Sequence, residues 1–207
     1  MSTSIERDED NRYIVTFNGT DDIVTSVTSS GDEVQDWLDE ILRIHRCRLH
    51  RLIVGLDLEW RPSNSRFQNP VAVLQLCVGR RCLVFLLLHA DYVPNALLNF
   101  LADDRFTFVG VGIDGDVERL SDDHDISIGH TTDLRCLAAE KMNRPELNQK
   151  GLARLAEEVL GVEVRKPRHV TMSRWDRRDL TWEQIKYAAV DAFLSFEIGR
   201  RLVDDDF

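Results

Sequence analysis

The feature that most constrains this chain is an apolar run in its first third that ends in two acidic residues. Residues 52–58 read Leu-Ile-Val-Gly-Leu-Asp-Leu, interrupted only by Gly55 and Asp57, and Glu59 follows. An apolar run without alternation predicts a strand buried on both faces. Asp57 and Glu59 stand two residues apart, so both carboxylates point to the same face of that strand. Burying two like charges is costly, so something must neutralise them.

Divalent cations would neutralise such a pair, because Mg²⁺ and Mn²⁺ prefer carboxylate oxygens and water. The Asp-x-Glu spacing alone is weak evidence, since the chain holds 36 acidic residues and the spacing arises by chance. An exposed strand end explains the pair equally well. Further acidic side chains at the same place would favour the metal site.

A second acidic segment follows the strand predicted at 106–111, where a helix begins with Asp114 and Asp116, either of which could face the first pair. The same stretch reads Gly110-x-Gly112-x-x-Gly115, the spacing of the dinucleotide-binding fingerprint. That fingerprint belongs to the first strand and helix of a parallel sheet, whereas several strands precede it here. An acidic side chain at the helix start would also repel a pyrophosphate. A nicotinamide cofactor is therefore the weaker interpretation.

A third candidate is the pair Tyr187 and Asp191, four residues apart on the last predicted helix. This spacing stacks the phenol and the carboxylate on one helix face. A core aromatic and a surface acid are the ordinary explanations of the two residues. Ala188, Ala189 and Ala192 would let this helix approach a sheet closely, which suits a metal ligand.

The remaining patterns predict an α/β fold with a mixed sheet of five or more strands, flanked by helices on both faces as in the RNase H-like fold. Thr181 and Gln184 form a capping box at the start of the last helix, which runs to residue 202. Strands are predicted at 13–17, 23–27, 52–58, 71–78, 82–88 and 106–111, and helices at 31–45, 94–101, from 114, at 132–141 and at 152–160.

With these segments in order, the chain resembles the DEDDy 3′→5′ exonucleases, most closely the Werner-syndrome-type and ribonuclease D-type exonuclease domains. The resemblance covers roughly residues 45–203 and leaves the first hairpin outside. Lys186 stands where the sister group carries a histidine, which selects the tyrosine subtype. The matching stretches are Ile53–Pro62, Val73–Cys77, Val109–Asp116, Ser173–Trp175 and Leu180–Ala192.

The resemblance implies a site with two divalent cations, Mg²⁺ or Mn²⁺, and a role for each acidic residue. Asp57 would bridge both ions, Glu59 and Asp191 would bind the first, and Asp116 would serve the second. Tyr187 would position the attacking water. The implied reaction is hydrolysis from the 3′ end of DNA or RNA with release of 5′-mononucleotides. A catalytically silent member of the fold that binds nucleic acid or serves as a scaffold is the alternative.

Substrate contacts are also implied. In the family an apolar residue between the two acids presses against the terminal base, which would be Leu58 here, with Trp60 beside the acids; core packing explains Leu58 equally well. A basic segment before the last helix is the candidate strand-binding surface, and a merely solvated loop is the alternative. Its cations are Arg165, Lys166, Arg168, Arg174, Arg177 and Arg178.

We expect an N-terminal extension, residues 1–45, that consists of a β-hairpin from the strands at 13–17 and 23–27 and the helix at 31–45. It packs on an exonuclease domain formed by residues 46–207. Asp179 stands where the ribonuclease D-like pattern usually has proline, which leaves the choice of substrate open.

The net charge of −10 is unusual for a nucleic-acid-binding protein. Residues 1–40 hold eleven acidic side chains against Arg7 and Arg12, a net of −9, and the aspartates at 204–206 add −3, so the remainder carries +2. A nearly neutral body suits a strand whose phosphates are met partly by metal ions. With so little basic charge and no accessory domain expected in 207 residues, assembly into a homo-oligomer would enlarge the binding surface.

The four cysteines lie scattered without CxxC spacing, which argues against a zinc site and against a disulfide framework. The chain shows neither a secretory signal nor an apolar run long enough to span a membrane. We therefore expect an intracellular protein of the nucleus or the cytoplasm.

Overall fold

The computed structural model describes residues 3–203, and these build one mixed sheet of eight strands in the order β1-β2-β3-β6-β5-β4-β7-β8. The β4–β5 and β5–β6 pairs are antiparallel, whereas β7 pairs parallel with both β4 and β8. The strands are β1 (Ser4–Arg7), β2 (Tyr13–Phe17), β3 (Asp21–Thr28), β4 (Ile53–Glu59), β5 (Val73–Val78), β6 (Arg81–Phe85), β7 (Thr107–Gly110) and β8 (Thr131–Asp133).

The predicted N-terminal hairpin is formed by β2 and β3, which pair antiparallel around the turn at residues 18–20. β1 adds a strand that the sequence did not predict. β3 pairs in parallel with β6, so this hairpin continues the central sheet. The division of the chain at residues 45 and 46 into an extension and a domain stays a prediction.

Seven helices complete the described part of the chain, and their caps explain where several of them begin. Ser30 accepts a hydrogen bond from the Glu33 backbone N–H at the start of α1. Thr181 and Gln184 bond reciprocally before α7, as predicted. The helices are α1 (Gly31–Ile44), α2 (Asn95–Leu101), α3 (Ile113–His124), α4 (Leu134–Lys141), α5 (Leu152–Leu160), α6 (Arg168–Thr171) and α7 (Trp182–Val203).

Two neighbouring residues of β6 show that helices cover both faces of the sheet. The Arg81 guanidinium donates to Glu40 of α1 at 2.7 Å. The Cys82 thiol donates to the Ala189 carbonyl of α7 at 3.5 Å. Because successive side chains of a strand point to opposite faces, α1 and α7 lie on opposite sides. The predicted α/β fold with an RNase H-like layout is confirmed.

The sequence did not predict β1 or α6, and two of the predicted elements are shorter in the structure because a further element adjoins them. The predicted helix at 132–141 begins only at Leu134, because residues 131–133 form β8 and Asp133 caps the helix by accepting from the Arg135 backbone N–H. The predicted strand at 82–88 ends at Phe85, and a 3₁₀ turn at Leu87–His89 follows. Apolar periodicity could not separate these short pieces from their longer neighbours.

α7 packs unusually closely on β4, and Gly55 makes this possible. A Cβ atom at Gly55 would lie 2.2 Å from the Ala192 carbonyl oxygen and 2.5 Å from the Phe196 backbone nitrogen. The missing side chain therefore lets the backbone of α7 rest on the strand, next to the acids at its end. None of the helices among residues 3–203 combines the length and the apolar character that crossing a bilayer requires.

Candidate active site

Three carboxylates from two elements meet where α7 crosses the end of β4. Each of Asp57, Glu59 and Asp191 offers an oxygen, and these oxygens all lie within 4.8 Å of one another. Asp57 and Glu59 share a face of β4 because they are two residues apart. Asp191 is only 2% exposed and faces them from the middle of α7. The predicted convergence of the first and third acidic segments is therefore present in the fold.

The three carboxylates of this cluster carry like charges and lie close together in a partly buried site. Burial, and next the charge of Asp191, raises the pKa of Asp57 well above its usual range. Burial and the charge of Asp57 do the same to the pKa of Glu59. The pKa of Asp191 is raised by burial, although Lys166 and the Tyr187 hydroxyl oppose the shift. A bound cation would remove this repulsion.

Asp116 lies in the first turn of α3, near enough to the cluster for its charge to act on two of the acids. Its charge contributes to the raised pKa values of both Asp57 and Glu59. Burial and the charge of Asp133 raise its own pKa to about 7, against the opposing charge of Arg119. Asp114 is exposed. Of the two residues that the sequence left open, Asp116 is the one in electrostatic contact with the acids of β4.

A tight backbone turn precedes α3 and places Asp116 in the first turn of that helix. Gly112 has a φ of 76°, a left-handed conformation that favours glycine. Its backbone N–H donates to Asp133 at 3.0 Å, at the end of β8. Of the three fingerprint glycines, only Gly112 lies in the turn between β7 and α3, since Gly110 ends β7 and Gly115 lies within α3. β7 is the seventh strand along the chain.

Tyr187 lies one helical turn before Asp191 on α7, with its ring 5.9 Å from that of the buried Trp175. Burial and the charges of Asp191, Glu59 and Asp57 raise its pKa far above the ordinary value for a phenol. The phenol is therefore neutral at physiological pH. A neutral phenol can orient a water molecule or a phosphate oxygen.

Lys166 has a position that the sequence did not predict. Its Nζ lies 2.6 Å from Asp191 Oδ2 and 5.3 Å from the centre of the Tyr187 ring. Its charge also opposes the raised pKa values of Asp57 and Glu59. Among the six cations of the basic segment, Lys166 therefore belongs to the acidic cluster itself. The sequence carried no signal for this contact, because the segment that holds Lys166 has no regular periodicity.

The structure favours one of the two explanations left open for Leu58. Leu58 alternates with Asp57 and Glu59 along β4 and so points to the opposite face. It is 4% exposed and belongs to the main hydrophobic core. Core packing thus accounts for Leu58. Trp60, one residue beyond the strand, is half-buried, and the Arg119 guanidinium lies 3.9 Å above its ring.

The other cations of the basic segment are exposed, and three of them, Arg165, Arg174 and Arg177, line two depressions beside α7. A cavity of about 650 Å³ is lined by Arg165, Lys166, Lys186, Tyr187 and Asp191. Phe17 and Asn18, at the end of β2 and the start of the turn that follows, also line this cavity. Arg174 and Arg177 line a smaller neighbouring depression, where Arg174 pairs with Asp176 at 3.2 Å. Arg168 and Arg178 are exposed.

The cluster of Asp57, Glu59 and Asp191 fits a divalent metal ion. Three convergent carboxylate oxygens are the ligands that Mg²⁺ and Mn²⁺ prefer. Burial raises the pKa values of these three carboxyl groups, and the mutual repulsion of the acids adds to this at Asp57 and Glu59, so holding them ionised side by side is unfavourable. A bound divalent cation would offset this repulsion.

Known proteins are similar to this chain in sequence and in fold. A "3'-5' exonuclease" of Arabidopsis thaliana is 36% identical over 154 residues, which are 73% of this chain and 52% of that protein. The chain spans about half or less of the length of the curated relatives it matches first.

Two solved structures resemble this one. The EXD2 exonuclease domain soaked in Mn is 29% identical, with a TM-score of 0.52 over 86% of this chain and 88% of that one. RNase D of Escherichia coli is 21% identical, with a TM-score of 0.70 over 87% of this chain and 44% of that one, a likeness in fold alone.

Residues 26–205 match the sequence model of a family described as 3'-5' exonuclease, and this range includes every acidic residue of the site. With the fold and the convergent carboxylates, this match establishes that the chain belongs to the 3′-5′ exonuclease family.

Proposed function

We propose that this chain is a metal-dependent exonuclease that removes 5′-mononucleotides one at a time from the 3′ end of DNA or RNA. The observation that carries the proposal is the meeting of the Asp57, Glu59 and Asp191 oxygens within 4.8 Å of one another. The solved structure of the EXD2 exonuclease domain, which is 29% identical to this chain, was soaked in Mn. This supports Mn²⁺ or Mg²⁺ as the ions used here.

In this proposal each acidic residue has a distinct task. The Asp57 carboxylate lies within 4.8 Å of both Glu59 and Asp191, and its pKa also responds to the charge of Asp116, so Asp57 would be the residue that bridges two ions. Glu59 and Asp191 would hold the first ion, and Asp116, from α3, would serve the second. Two divalent ions, when bound, lower the pKa of an attacking water and stabilise the charge that develops on the leaving 3′ oxygen.

Tyr187 positions the attacking water. Its phenol stays neutral because burial and three nearby carboxylates raise its pKa. A neutral hydroxyl can donate one hydrogen bond and accept another, so it can hold a water in line with the scissile phosphorus without taking its proton.

The 3′ strand reaches the acids through the cavity beside α7. Arg165 and Lys186 line this cavity next to Tyr187 and Asp191, and they can meet the phosphates of an entering strand. Arg174 and Arg177 extend the basic surface into the neighbouring depression. Arg168 and Arg178 are exposed as well, and they stay candidates for contact with the strand. Trp60 stays a candidate for substrate contact, whereas the burial of Leu58 favours a role in the core.

The experiment that tests this proposal is digestion of matched DNA and RNA oligonucleotides labelled at the 5′ end. With Mg²⁺ or Mn²⁺ the labelled strand should shorten stepwise, and a 3′-phosphate should slow the first step. EDTA should stop the reaction. Release of the label as a mononucleotide in the first turnover would show attack from the 5′ end and contradict the proposal. Comparison of the two sugars identifies the preferred substrate.

Two further expectations belong to this proposal. Assembly into a homo-oligomer would enlarge the basic surface of an otherwise acidic chain; light scattering that gives a strict monomer would contradict it. A location in the nucleus or the cytoplasm stays a prediction, and microscopy of the tagged protein checks it.

A further inference from the structure

A buried glutamine lies beside the acidic cluster without a partner for its amide. Gln75 of β5 is fully buried, with 0% of its surface exposed. Neither its Nε2 nor its Oε1 has a hydrogen-bond partner among the described residues. Buried amides are almost always hydrogen-bonded. A buried amide without a partner therefore indicates that a water molecule, a ligand or an ion provides the missing interaction.

The sheet register places Gln75 next to Asp57. Gln75 is the direct cross-strand partner of Asp57 in the antiparallel β4–β5 pair. Side chains opposite each other in such a pair share one face, with Cβ atoms about 4.5–5.5 Å apart. On its other side Gln75 faces Val84 of β6. Asp57 is therefore the polar neighbour of Gln75 across the strands.

Gln75 also lies on the face that α7 covers. Gly55 and Asp57 of β4 point toward this helix, and so does Cys82 of β6. Along β5 the neighbours of Gln75 on this face are Val73 and Cys77, both fully buried. An apolar side chain would fill such a place at lower cost, so the presence of an amide here calls for a chemical reason.

We propose that Gln75 is a positioning residue for the metal site: its amide N–H donates to the Asp57 carboxylate, directly or through one water, and holds that carboxylate turned toward Glu59 and Asp191. The inference rests on the proposed function, in which Asp57 is a metal ligand. Carboxylates that bind metals are commonly held by a hydrogen-bonded neighbour. The Leu58 backbone N–H is the other donor that acts on Asp57.

The chain offers a matched control in a second buried glutamine. Gln184 is 3% exposed, but its amide is satisfied by the protein. Its Nε2 donates to Ser173 Oγ at 2.9 Å, and its Oε1 accepts from the Thr181 backbone N–H at 2.9 Å. The amide of Gln184 is thus hydrogen-bonded within the protein, whereas the amide of Gln75 has no partner among the described residues.

The test compares Gln75→Met with Gln184→Met, since methionine keeps the length of the side chain and removes the amide. Binding of Mn²⁺ is measured by calorimetry or by electron paramagnetic resonance, and thermal unfolding is measured in EDTA. Gln75→Met should unfold at the wild-type temperature or above it, and its Kd for Mn²⁺ should rise at least about tenfold. Gln184→Met should unfold at a lower temperature and keep its Kd for Mn²⁺ within about twofold.

A Gln75→Met protein that binds Mn²⁺ as tightly as the wild type would overturn the inference, even if the wild type is an exonuclease. A Gln75→Met protein that fails to fold, or that melts earlier in EDTA, would overturn it too, because the amide would then serve the fold. Gln75→Leu should repeat the loss of Mn²⁺ affinity. Wild-type protein that neither binds Mn²⁺ nor shortens an oligonucleotide would overturn both the inference and the proposed function.

Discussion

The Lys166 ammonium lies 2.6 Å from Asp191 Oδ2, and only 3% of the Asp191 side chain is exposed. This pair places a positive charge beside three carboxylates that repel one another. Lys166 therefore offsets part of the cost of assembling the acids. A divalent ion at the same carboxylates would do the same more strongly, so the two cations should act in part as substitutes.

Replacing Lys166 with methionine should destabilise the protein in EDTA more than in Mn²⁺. Removing one partner of a buried ion pair costs about 3–5 kcal/mol, and the 29% exposure of the Lys166 side chain lowers the expected loss to about 1–3 kcal/mol. Urea unfolding in both conditions measures the difference. Lys186→Met, in the same cavity wall, is the control and should change stability by less than about 0.5 kcal/mol. Equal losses with and without Mn²⁺ would contradict this account.

The raised pKa of Asp116 predicts that the stability of the metal-free protein depends on pH. Its pKa in the folded protein is about 7, against an ordinary value of 3.8, because of burial and the nearby Asp133. The folded state thus keeps a proton that the unfolded state has lost, so this group's contribution to stability falls as the pH rises from about 4 to about 7. Asp116→Asn removes this loss and should gain about 1–3 kcal/mol on the wild type across that interval.

Urea unfolding in EDTA at several pH values checks the Asp116 prediction. The exposed Asp114 provides the control, since Asp114→Asn should follow the wild type at each pH. A constant difference between Asp116→Asn and the wild type from pH 4 to pH 7 would show that Asp116 titrates normally.

Gly55→Ala should prevent the close approach of α7 to β4. The added methyl would lie 2.2 Å from the Ala192 carbonyl oxygen, and backbone cannot move aside as a flexible side chain does. We expect a loss of stability of about 3 kcal/mol or more, and weaker Mn²⁺ binding in whatever protein folds. Gly115→Ala is the control, because a Cβ there meets nothing within 4 Å. Circular dichroism melts measure both, and a normal Gly55→Ala melt would refute the argument.

Tyr187→Phe should lower kcat by about 10²-fold, the size of effect that loss of positioning causes, while leaving the Kd for Mn²⁺ near the wild-type value. The hydroxyl orients the water but binds no ion in the proposed site. The hydroxyl has no proton-transfer role in the proposed reaction, so the variant and the wild type should show pH–rate profiles of the same shape. Loss of an acidic or alkaline limb in the variant would instead assign a proton-transfer role to Tyr187.

The sequence predicts the acidic residues and the fold because each leaves a local pattern. Asp57 and Glu59 interrupt an apolar strand, and Tyr187 and Asp191 share a helix face, so spacing alone indicates where they point. The cap at Thr181 fixes the start of α7 in the same way. These patterns suffice to predict that β4 and α7 meet.

Contacts between segments far apart in the chain leave no such pattern. Lys166 reaches Asp191 from an irregular stretch, and its sequence neighbours suggest only a basic surface. The partner of Gln75 depends on the strand register, which periodicity does not determine. The short strand β8 was merged with α4, because three residues are too few to show alternation. The structure was needed for each of these.

The most direct test of the central claim is release of mononucleotides from a 3′ end by the wild type, Asp57→Asn and Asp114→Asn, each with Mn²⁺ and with EDTA. The wild type and Asp114→Asn should release 5′-mononucleotides at similar rates with Mn²⁺ and none with EDTA. Asp57→Asn should fold but lose more than the roughly 10–100-fold that removal of a supporting residue costs. Undiminished release by Asp57→Asn, or no release by the folded wild type with either Mn²⁺ or Mg²⁺, would contradict the proposal that these carboxylates form the catalytic centre.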